Sequence, residues 1–408
     1  MRLSLVFTHC LEKVFHCQNM PPVAVENRLS GLNNEVLSWQ AVYWLQTPGN
    51  ETRHELSYQL DGPLAAYISV RQVQSVPSGF PCYREIDENY LTTEPGLFPD
   101  PLMPLPQRRF FAACRYYGSL WLTLTPPADA QLAGDFPLTL RLRDAQSGEA
   151  LAEATLTLHL VPAALPPQTL LHTEWLHTDC LADYYRLAVF SPDYWRAVRN
   201  FVRCAVQAGV NMLLTPLFTP PLDTAVGGER TTVQLVRVSR SAQGYDFDFS
   251  LLAQWIALAQ EEGIEHFEIA PLFTQWGAAH APKIVVEEQG EARPLFGWHT
   301  DAQGEAYQRF LQALLPALTA WFRERGLERQ VWFHVSDEPT LDNLAAYQRA
   351  SAALRPLLDG FRTFDALSDF AFYQRGLVEI PVAATDHIEP FIEHRVPGLW
   401  AYYCCVQK

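Results

Sequence analysis

From residue 169 onward, short apolar runs alternate with longer amphipathic patterns, and this alternation constrains the fold more than any other feature. Seven runs predict strands, at residues 170–175, 210–215, 265–270, 331–335, 361–367, 380–384 and 399–403. Patterns between them predict helices at residues 193–209, 250–263, 305–326 and 341–359. Strands that alternate with helices form parallel sheets, and this spacing predicts a (β/α)8-type TIM barrel without its eighth strand. Because the sequence ends at Lys408, we expect a C-terminally truncated version of a longer protein.

Residues 1–160 have a different pattern. Short runs with an apolar residue at every second position recur there, for example at residues 36–44, 119–124 and 154–160. Period-two patterning with turn residues between the runs predicts an antiparallel β-sandwich. The proline-rich stretch 98–106 is expected to be a loop or an edge strand, because proline lacks the N–H that a central strand donates.

A second proline-rich stretch, residues 161–168, separates these two patterns and predicts a stiff linker. The fold class is therefore predicted as all-β plus α/β. An N-terminal β-sandwich domain at residues 1–160 is joined by the linker to a TIM-barrel domain at residues 169–408, incomplete at its C-terminus.

The charge and the cysteine pattern exclude several classes of partner and cofactor. The formal net charge is -15 and no run is rich in Lys or Arg, which argues against nucleic acid and anionic membranes as partners. No signal peptide or membrane span is evident, and the eight cysteines form no C-x-x-C motif, which favours a reduced, cytoplasmic location. Motifs for nucleotides, phosphates and serine hydrolysis are absent, so no cofactor is expected.

The sharpest chemical signal is the adjacent pair Asp337 and Glu338, which follows the apolar run 331–335 and precedes Pro339. In a barrel of this type, reacting groups lie at the C-terminal ends of the strands. Two consecutive carboxylates at such a position are the groups that an acid-catalysed glycosidic cleavage requires. Alternatively, one of them could cap the helix that begins near Leu341.

A second catalytic carboxylate is missing from the place where such barrels commonly have it. Many retaining glycosidases use two carboxylates about 5 Å apart, the second of them after strand seven. Strand seven carries no Asp or Glu here. The nucleophile would then be Glu268, Asp365 or Glu174, or the substrate's own 2-acetamido group would attack the anomeric carbon.

Further side chains at the predicted strand ends are candidates for sugar binding. The complete set is His172, Glu174, Trp175, Glu268, Gln275, Trp276, His334, Asp365, Trp400 and Tyr402. Glu268 could instead pair with Arg230, and the three Trp side chains could instead plug the barrel mouth. His172, Glu174 and His177 superficially resemble metal ligands, but a strand directs His177 to the opposite face from the other two, so no metal site is predicted.

The motif at residues 334–339, His-Val-Ser-Asp-Glu-Pro, resembles glycoside hydrolase family 123 and its uncharacterised relatives. Similar agreement is found at residues 98–102, 214–224, 275–277 and 365–369, so the resemblance covers nearly the whole chain. It implies a retaining β-N-acetylgalactosaminidase that uses substrate assistance. Carried over to this sequence, Glu338 would be the general acid/base, and Asp337 would polarise the acetamide.

Three hypotheses follow for function. The first is a glycosidase that acts on a β-linked 2-acetamido sugar with substrate assistance. The second is a two-carboxylate glycosidase of other specificity, and the third is a barrel protein that binds carbohydrate without cleaving it. All three have carbohydrate as the partner.

Overall fold

The computed structural model describes residues 1–403 except 18–21, 23, 25–26, 48, 80–89, 128–131, 223–224 and 276. The chain divides into two compact units, one formed by Met1–Pro167 and the other beginning at Gln168. Residues 162–170, between the last strand of the first unit and the first strand of the second, are all exposed.

The first unit consists of two five-stranded sheets. Its strands are β1 (Arg2–His9), β2 (Arg28–Leu32), β3 (Leu37–Gln46), β4 (Arg53–Asp61), β5 (Ile68–Ser78), β6 (Gly96–Pro104), β7 (Arg109–Ala113), β8 (Tyr117–Leu124), β9 (Gly134–Asp144) and β10 (Ala150–Val161). One sheet has the order β1-β3-β8-β5-β6 and the other β2-β10-β9-β4-β7. The pairing is antiparallel except between β2 and β10.

One apolar cluster fills this unit, and both sheets contribute to it. Alternate residues such as Leu120 and Leu122 on β8, and Leu140 and Leu142 on β9, are fully buried in it. The period-two runs at residues 36–44, 119–124 and 154–160 form strands β3, β8 and β10, as predicted. The proline-rich stretch forms most of β6, which lies at the edge of its sheet, as predicted.

The second unit is built on a seven-stranded parallel sheet whose strands follow one another in chain order. They are β11 (Thr173–Glu174), β12 (Met212–Thr215), β15 (His266–Ile269), β18 (Val331–Phe333), β19 (Arg362–Leu367), β20 (Ile380–Ala384) and β21 (Trp400–Tyr402). Every predicted strand of this region is thus confirmed. In the described part of the chain, β11 and β21 each pair on one side only.

Helices lie between most of these strands. They are α1 (Thr178–Tyr185), α2 (Pro192–Gln207), α3 (Ser250–Glu262), α4 (Glu305–Glu324), α5 (Leu344–Leu358), α6 (Ala371–Gln374) and α7 (Glu389–Glu393). At the start of α2 the Ser191 hydroxyl accepts a hydrogen bond from the Tyr194 N–H at 3.2 Å, and Pro192 is the first helical residue. None of the helices in the described residues has the length and apolar character needed to cross a bilayer.

Side chains of the parallel sheet alternate between two environments. Phe267, Val331 and Phe333 point to the face covered by helices, where they join the largest apolar cluster. Trp332 and Phe364 point to the other face and form a smaller cluster with Met212, Val382 and Trp400. This second face is the one on which polar residues accumulate toward the C-terminal ends of the strands.

A separate four-stranded sheet is inserted after strands β12 and β15, and the sequence pattern did not predict it. Its strands are β13 (Arg237–Ser241), β14 (Gly244–Asp248), β16 (Ile284–Glu288) and β17 (Glu291–Phe296), in the order β14-β13-β16-β17. It forms where the connections that leave the C-terminal ends of β12 and β15 meet.

Candidate active site

The Asp337–Glu338 pair lies just beyond the C-terminal end of β18, and both residues are partly exposed. Glu338 has a φ of +42°, in the left-handed region that non-glycine residues rarely occupy. It also precedes Pro339, which normally favours extended backbone at the residue before it. Thr340 occupies the N-cap position of the short 3-10 helix that follows and Asn343 that of α5, so neither carboxylate lies at an N-cap position.

The last strand, β21, contacts this pair through the side chain of Tyr402. Its hydroxyl donates a hydrogen bond to Oε1 of Glu338 at 2.5 Å. Burial, this hydrogen bond and the nearby carboxylates of Glu338 and Asp337 raise the pKa of the Tyr402 phenol, while a contact with Ser368 acts in the opposite sense. The phenol is therefore held in its protonated, hydrogen-bond-donating form beside Glu338.

A buried carboxylate, Glu268 on β15, lies on the same face of the sheet and is only 1% exposed. The Thr173 hydroxyl donates to its Oε2 at 2.5 Å, and the Trp175 indole N–H donates to its Oε1 at 2.7 Å. His334 Nε2 lies 2.6 Å from the same Oε1. Because β12 separates β11 from β15, the contact from Thr173 requires the sheet to curve toward this face.

His334 joins Glu268 to a second buried carboxyl group, Asp365 on β19. The His334 Nδ1 atom lies 3.2 Å from Asp365 Oδ1. The same oxygen accepts from the backbone N–H groups of Val335 at 3.0 Å and Ser336 at 3.3 Å. The Tyr347 hydroxyl, from α5, donates to Asp365 Oδ2 at 2.5 Å. Asp365 thereby fixes the backbone that leads directly into Asp337.

The electrostatics of this network make His334 a cation. Burial alone lowers the pKa of the His334 imidazole, but the hydrogen bonds to Asp365 and Glu268 outweigh burial and raise it to about 10. At Glu268 burial favours a higher pKa, but hydrogen bonds from His334, Thr173 and Trp175 lower it overall. Burial prevails at Asp365, whose pKa is raised. At neutral pH an imidazolium flanked by two carboxyl groups is therefore buried close in sequence to the partly exposed acidic pair.

Residues 175–408, more than half of the chain, match the family model described as "Glycoside hydrolase 123, catalytic domain". The chain belongs to glycoside hydrolase family 123. It is therefore a glycosidase by family, and the acidic pair after β18 lies inside the matched region. No curated protein matches the sequence significantly.

A solved structure of a family 123 glycoside hydrolase from Clostridium perfringens, analysed for glycolipid glycan hydrolysis, has the same fold, with a TM-score of 0.72 and 12% sequence identity. The match covers 99% of this chain and 72% of that one. β-Glucuronidase 2 from Bacteroides uniformis is 10% identical with a TM-score of 0.29, and the match covers 97% of this chain and 39% of that one. That TM-score is too low to indicate a shared overall fold.

Not every predicted site residue of this family 123 chain reaches the network. Trp175, Glu268, His334 and Asp365 are brought together in it, and Tyr402 contacts Glu338. His172 and Glu174 instead contact each other, at 3.3 Å, and the Glu174 side chain is 71% exposed. The reason is strand geometry: Thr173 and Trp175 point toward Glu268, so Glu174 between them points away.

The remaining predicted residues have other surroundings. Gln275 is buried in the segment after β15, and Trp276 lies outside the described residues. Trp400 packs in the apolar layer of the sheet, with ring centroids 5.2 Å from Trp332 and 5.4 Å from Phe364. Arg230, which could have paired with Glu268, binds Asp179 through two hydrogen bonds at 2.7 and 3.0 Å.

Two members of the network were not predicted from sequence. Thr173 could have been predicted, because it is two residues from Trp175 and therefore lies on the same face of the strand. Tyr347 gave no comparable signal, because it reads as an ordinary apolar position of α5. Among the described residues, no group of three or more His, Cys, Asp or Glu side chains is arranged to hold a metal ion.

Proposed function

We propose that this chain cleaves a β-linked 2-acetamido sugar, of the N-acetylgalactosaminide type, with retention of configuration and with the acetamide group as nucleophile. Glu338 is the general acid/base, and Asp337 orients and polarises the acetamide N–H. Carbohydrate is the substrate.

One observation carries the proposal: the carboxylates that could act as a protein nucleophile are already engaged. Glu268 and Asp365 are each 1% exposed, and both oxygens of each accept hydrogen bonds from the protein. Glu174 points away from them into solvent. A two-carboxylate enzyme requires its nucleophile to face the anomeric carbon. Asp337 and Glu338 are partly exposed carboxylates just beyond β18. With these three candidate protein nucleophiles engaged or turned away, the arrangement favours a nucleophile supplied by the substrate.

The chemistry divides between the two acidic residues. Glu338 donates its proton to the glycosidic oxygen as the bond from that oxygen to C1 breaks. The acetamide carbonyl oxygen forms a new bond to C1, giving an oxazolinium ring whose N–H donates to Asp337. Glu338 then removes a proton from water, whose oxygen attacks C1 and reopens the ring with retention. The hydrogen bond from Tyr402 to Oε1 orients the Glu338 carboxyl group, so that its other oxygen carries the proton.

The finer description of the architecture belongs to the same proposal. The two five-stranded sheets with their shared core are a β-sandwich domain at residues 1–160, and residues 161–168 are the linker. Residues 169–408 supply seven strands of a (β/α)8-type TIM barrel. A cytoplasmic location, with no nucleic acid or membrane partner, remains a prediction.

The experiment separates the two roles by varying the leaving group. A 2,4-dinitrophenyl leaving group departs without a proton, whereas a methyl or sugar leaving group requires one. We expect Glu338→Gln to lower kcat/KM about 10²–10⁴-fold for glycosides with poor leaving groups. The same substitution should lower the rate at which the oxazolinium intermediate forms much less when the substrate is dinitrophenyl N-acetyl-β-galactosaminide. Asp337→Asn should reduce activity on both substrates, because orientation of the acetamide is needed whatever the leaving group.

Glu174→Gln is the matched control, since it changes an exposed glutamate outside the network and should leave kcat/KM unchanged. A substrate whose acetamide is replaced by trifluoroacetamide supplies the decisive comparison. Fluorine withdraws electron density from the carbonyl oxygen, so the rate must fall steeply if that oxygen is the nucleophile. A rate independent of fluorination would rule out substrate assistance in favour of a protein nucleophile.

A further inference from the structure

Ser336 is a buried polar residue whose hydroxyl the proposed reaction does not use. It is 0% exposed and lies between the apolar Val335 and the partly exposed Asp337. Its hydroxyl donates a hydrogen bond to the carbonyl oxygen of Thr274 at 3.0 Å. Burying a hydroxyl group is unfavourable unless it is hydrogen-bonded, so this contact determines where the Ser336 side chain points. The contact joins the residue before Asp337 to the segment that follows β15.

The backbone of Thr274 is fixed by contacts within its own segment. The Thr274 N–H donates to the His280 carbonyl at 3.0 Å. In the opposite direction, the His280 N–H donates to Thr274 Oγ1 at 3.1 Å. These two hydrogen bonds close a loop that begins at Thr274 and ends at His280, so the Ser336 hydroxyl is bonded to a point that the protein already holds in place.

The Thr274 carbonyl has a hydrogen-bond donor even without Ser336. The Ala278 N–H donates to the same carbonyl oxygen at 3.1 Å. Removing the Ser336 hydroxyl therefore leaves no buried acceptor without a partner, and its cost to stability should be small. What is lost is the direct connection between Thr274 and the residue before Asp337. The effect of the hydroxyl on position can thus be measured apart from its effect on folding.

Residues with left-handed backbone geometry occur on both sides of this contact. Ala278, in the loop after β15, has a φ of +57°, and Glu338, two residues after Ser336, has a φ of +42°. This region is unfavourable for residues other than glycine, and such residues keep it only where the surrounding structure holds them. A buried hydrogen bond between the two segments contributes to that restraint on both sides.

Two different hydroxyl groups act on the two members of the acidic pair. The Tyr402 hydroxyl donates to Oε1 of Glu338 at 2.5 Å, so it acts on the carboxyl group itself. The Ser336 hydroxyl acts on the main chain that leads directly into Asp337, through its bond to Thr274. Loss of either hydroxyl should therefore affect a different part of the reaction.

We propose that Ser336 is a positioning residue, which through its hydrogen bond to Thr274 holds Asp337 where it orients and polarises the acetamide N–H. Ser336 is fully buried and contacts neither the substrate nor the reacting atoms. Displacing a reacting group by about 1 Å can lower a rate about 100-fold. This inference rests on the proposed glycosidase reaction and adds a residue on which closure of the oxazolinium ring depends.

The test compares the dinitrophenyl and methyl N-acetyl-β-galactosaminides as substrates of Ser336→Ala. We expect the rate at which the oxazolinium intermediate forms to fall about 10–100-fold on both, because the acetamide must be oriented whatever the leaving group. KM should change little, since Ser336 does not contact the substrate. Tyr402→Phe provides the contrast. It should slow the methyl glycoside much more than the dinitrophenyl glycoside, because it disturbs proton donation by Glu338.

Thr319→Val is the matched control. It also removes a buried hydroxyl that donates to a backbone carbonyl, that of Leu315 at 2.9 Å, but on α4. Thr319→Val and Ser336→Ala should lower the urea midpoint by similar amounts, and only Ser336→Ala should lose activity.

Thr274→Val provides a second variant if Ser336→Ala is unstable. It keeps Ser336 and removes the oxygen that accepts from the His280 N–H, so it should slow both substrates in the same way. Combining it with Ser336→Ala should cost less than the product of the two single losses, because both act through Thr274. Wild-type rates in Ser336→Ala, or a loss confined to the methyl glycoside, would overturn the proposal.

Hydrogen exchange, followed by mass spectrometry, separates this proposal from the reaction on which it rests. Ser336→Ala should accelerate exchange several-fold in peptides that cover residues 272–280 and 334–340, and Thr319→Val should not. If exchange is accelerated in this way but the wild type cleaves no 2-acetamido glycoside, Ser336 is supported as the residue that holds Asp337, and the proposed reaction fails. Cleavage by the wild type, with exchange and rates unchanged in Ser336→Ala, would remove Ser336 as a positioning residue and leave the reaction intact.

Discussion

His334 is the residue on which the order of the candidate site depends. It is 4% exposed and contacts both Glu268 and Asp365. Removing water from an ion costs several kcal/mol, and a buried network of charges is rarely more stable than apolar packing of the same volume. The value of this network therefore lies in positioning. Through Asp365 it fixes the backbone N–H groups of Val335 and Ser336, immediately before Asp337.

Replacing His334 by Gln should lower the free energy of unfolding by about 3–5 kcal/mol at pH 7, because two buried carboxyl groups lose their cation. The pH dependence is more specific. The His334 pKa is about 10 in the folded chain against an ordinary value of 6.5, so the folded state holds a proton that the unfolded state releases. The stabilisation of the folded state by protonated His334 is fully present below pH 6.5. It is lost as the pH rises toward 10, by ~1.4 kcal/mol per pH unit.

The measurement is urea unfolding of wild type and His334→Gln at several values between pH 6.5 and 10. The wild type should lose stability across this window faster than the variant. His266→Gln is the control: burial lowers the pKa of His266, so its contribution to stability is constant above pH 6.5. Parallel pH dependences for wild type and His334→Gln would contradict a protonated His334.

For single residues, the sequence identifies candidates by the chemical type of the side chain. It does not identify residues that contact the network only because of how the chain folds. Asp337 and Glu338 were predicted as site residues because two carboxylates rarely follow an apolar strand without a role, and their catalytic role stays a prediction. Glu174 was expected to bind sugar because of its residue type. Side chains alternate along a strand, so Glu174, between Thr173 and Trp175, points away from Glu268. Tyr347 reaches Asp365 only because α5 packs beneath β19, and no local pattern encodes such a contact.

Among the elements, the loops after β15 and β18 are packed so closely that one position admits no side chain. Gly277 has a φ of +128°, and a Cβ atom there would lie 2.7 Å from the Cβ of Asn343. Asn343 ends the 3-10 helix that follows the acidic pair and precedes α5. The two loops therefore hold each other in place beside Asp337 and Glu338.

Gly277→Ala should lower the free energy of unfolding by about 2–4 kcal/mol, through unfavourable backbone geometry and the contact with Asn343. It should also lower kcat/KM at temperatures where the variant is folded, because the loop carrying the acidic pair is displaced. Denaturant unfolding and steady-state kinetics measure the two effects.

The control is Gly326→Ala. Gly326 has a φ of +68°, but a Cβ atom there would meet no other described residue within 4 Å. The effect of this substitution should be limited to about 1–2 kcal/mol of backbone energy, with kcat/KM unchanged. If both variants lose the same stability and keep full activity, close packing between the loops does not position the site.

The same scale explains which elements the sequence predicted. The five central strands of the parallel sheet, from β12 to β20, are mostly buried and read as apolar runs, so their number and order were predictable. Strands β13 and β14 have the sequences RVSRS and GYDFD, with burial alternating over only five residues, and such short polar runs are indistinguishable from loops. They pair only because the connections after β12 and β15 are brought side by side.

For the whole molecule, each of the two units has its own core. The apolar cluster of the first unit is drawn entirely from residues between Leu3 and Leu160. The large cluster of the second is drawn from residues Leu176 to Leu399. A unit whose apolar residues satisfy one another needs no other part of the chain to bury them. The proline-rich stretch at residues 161–168 is accordingly the place at which the chain can be divided.

Residues 1–167 expressed alone should therefore fold and unfold in one cooperative transition, with a free energy of unfolding of about 5–15 kcal/mol. Urea unfolding followed by tryptophan fluorescence is the measurement, since Trp39 is fully buried and reports loss of the core. A fragment that stops at residue 148 is the matched control. It lacks β10, which pairs with both β2 and β9, so β2 loses its place in the sheet and the core is opened. This shorter fragment should show solvent-exposed tryptophan emission without a transition. The same behaviour in residues 1–167 would mean that the first unit depends on the rest of the chain.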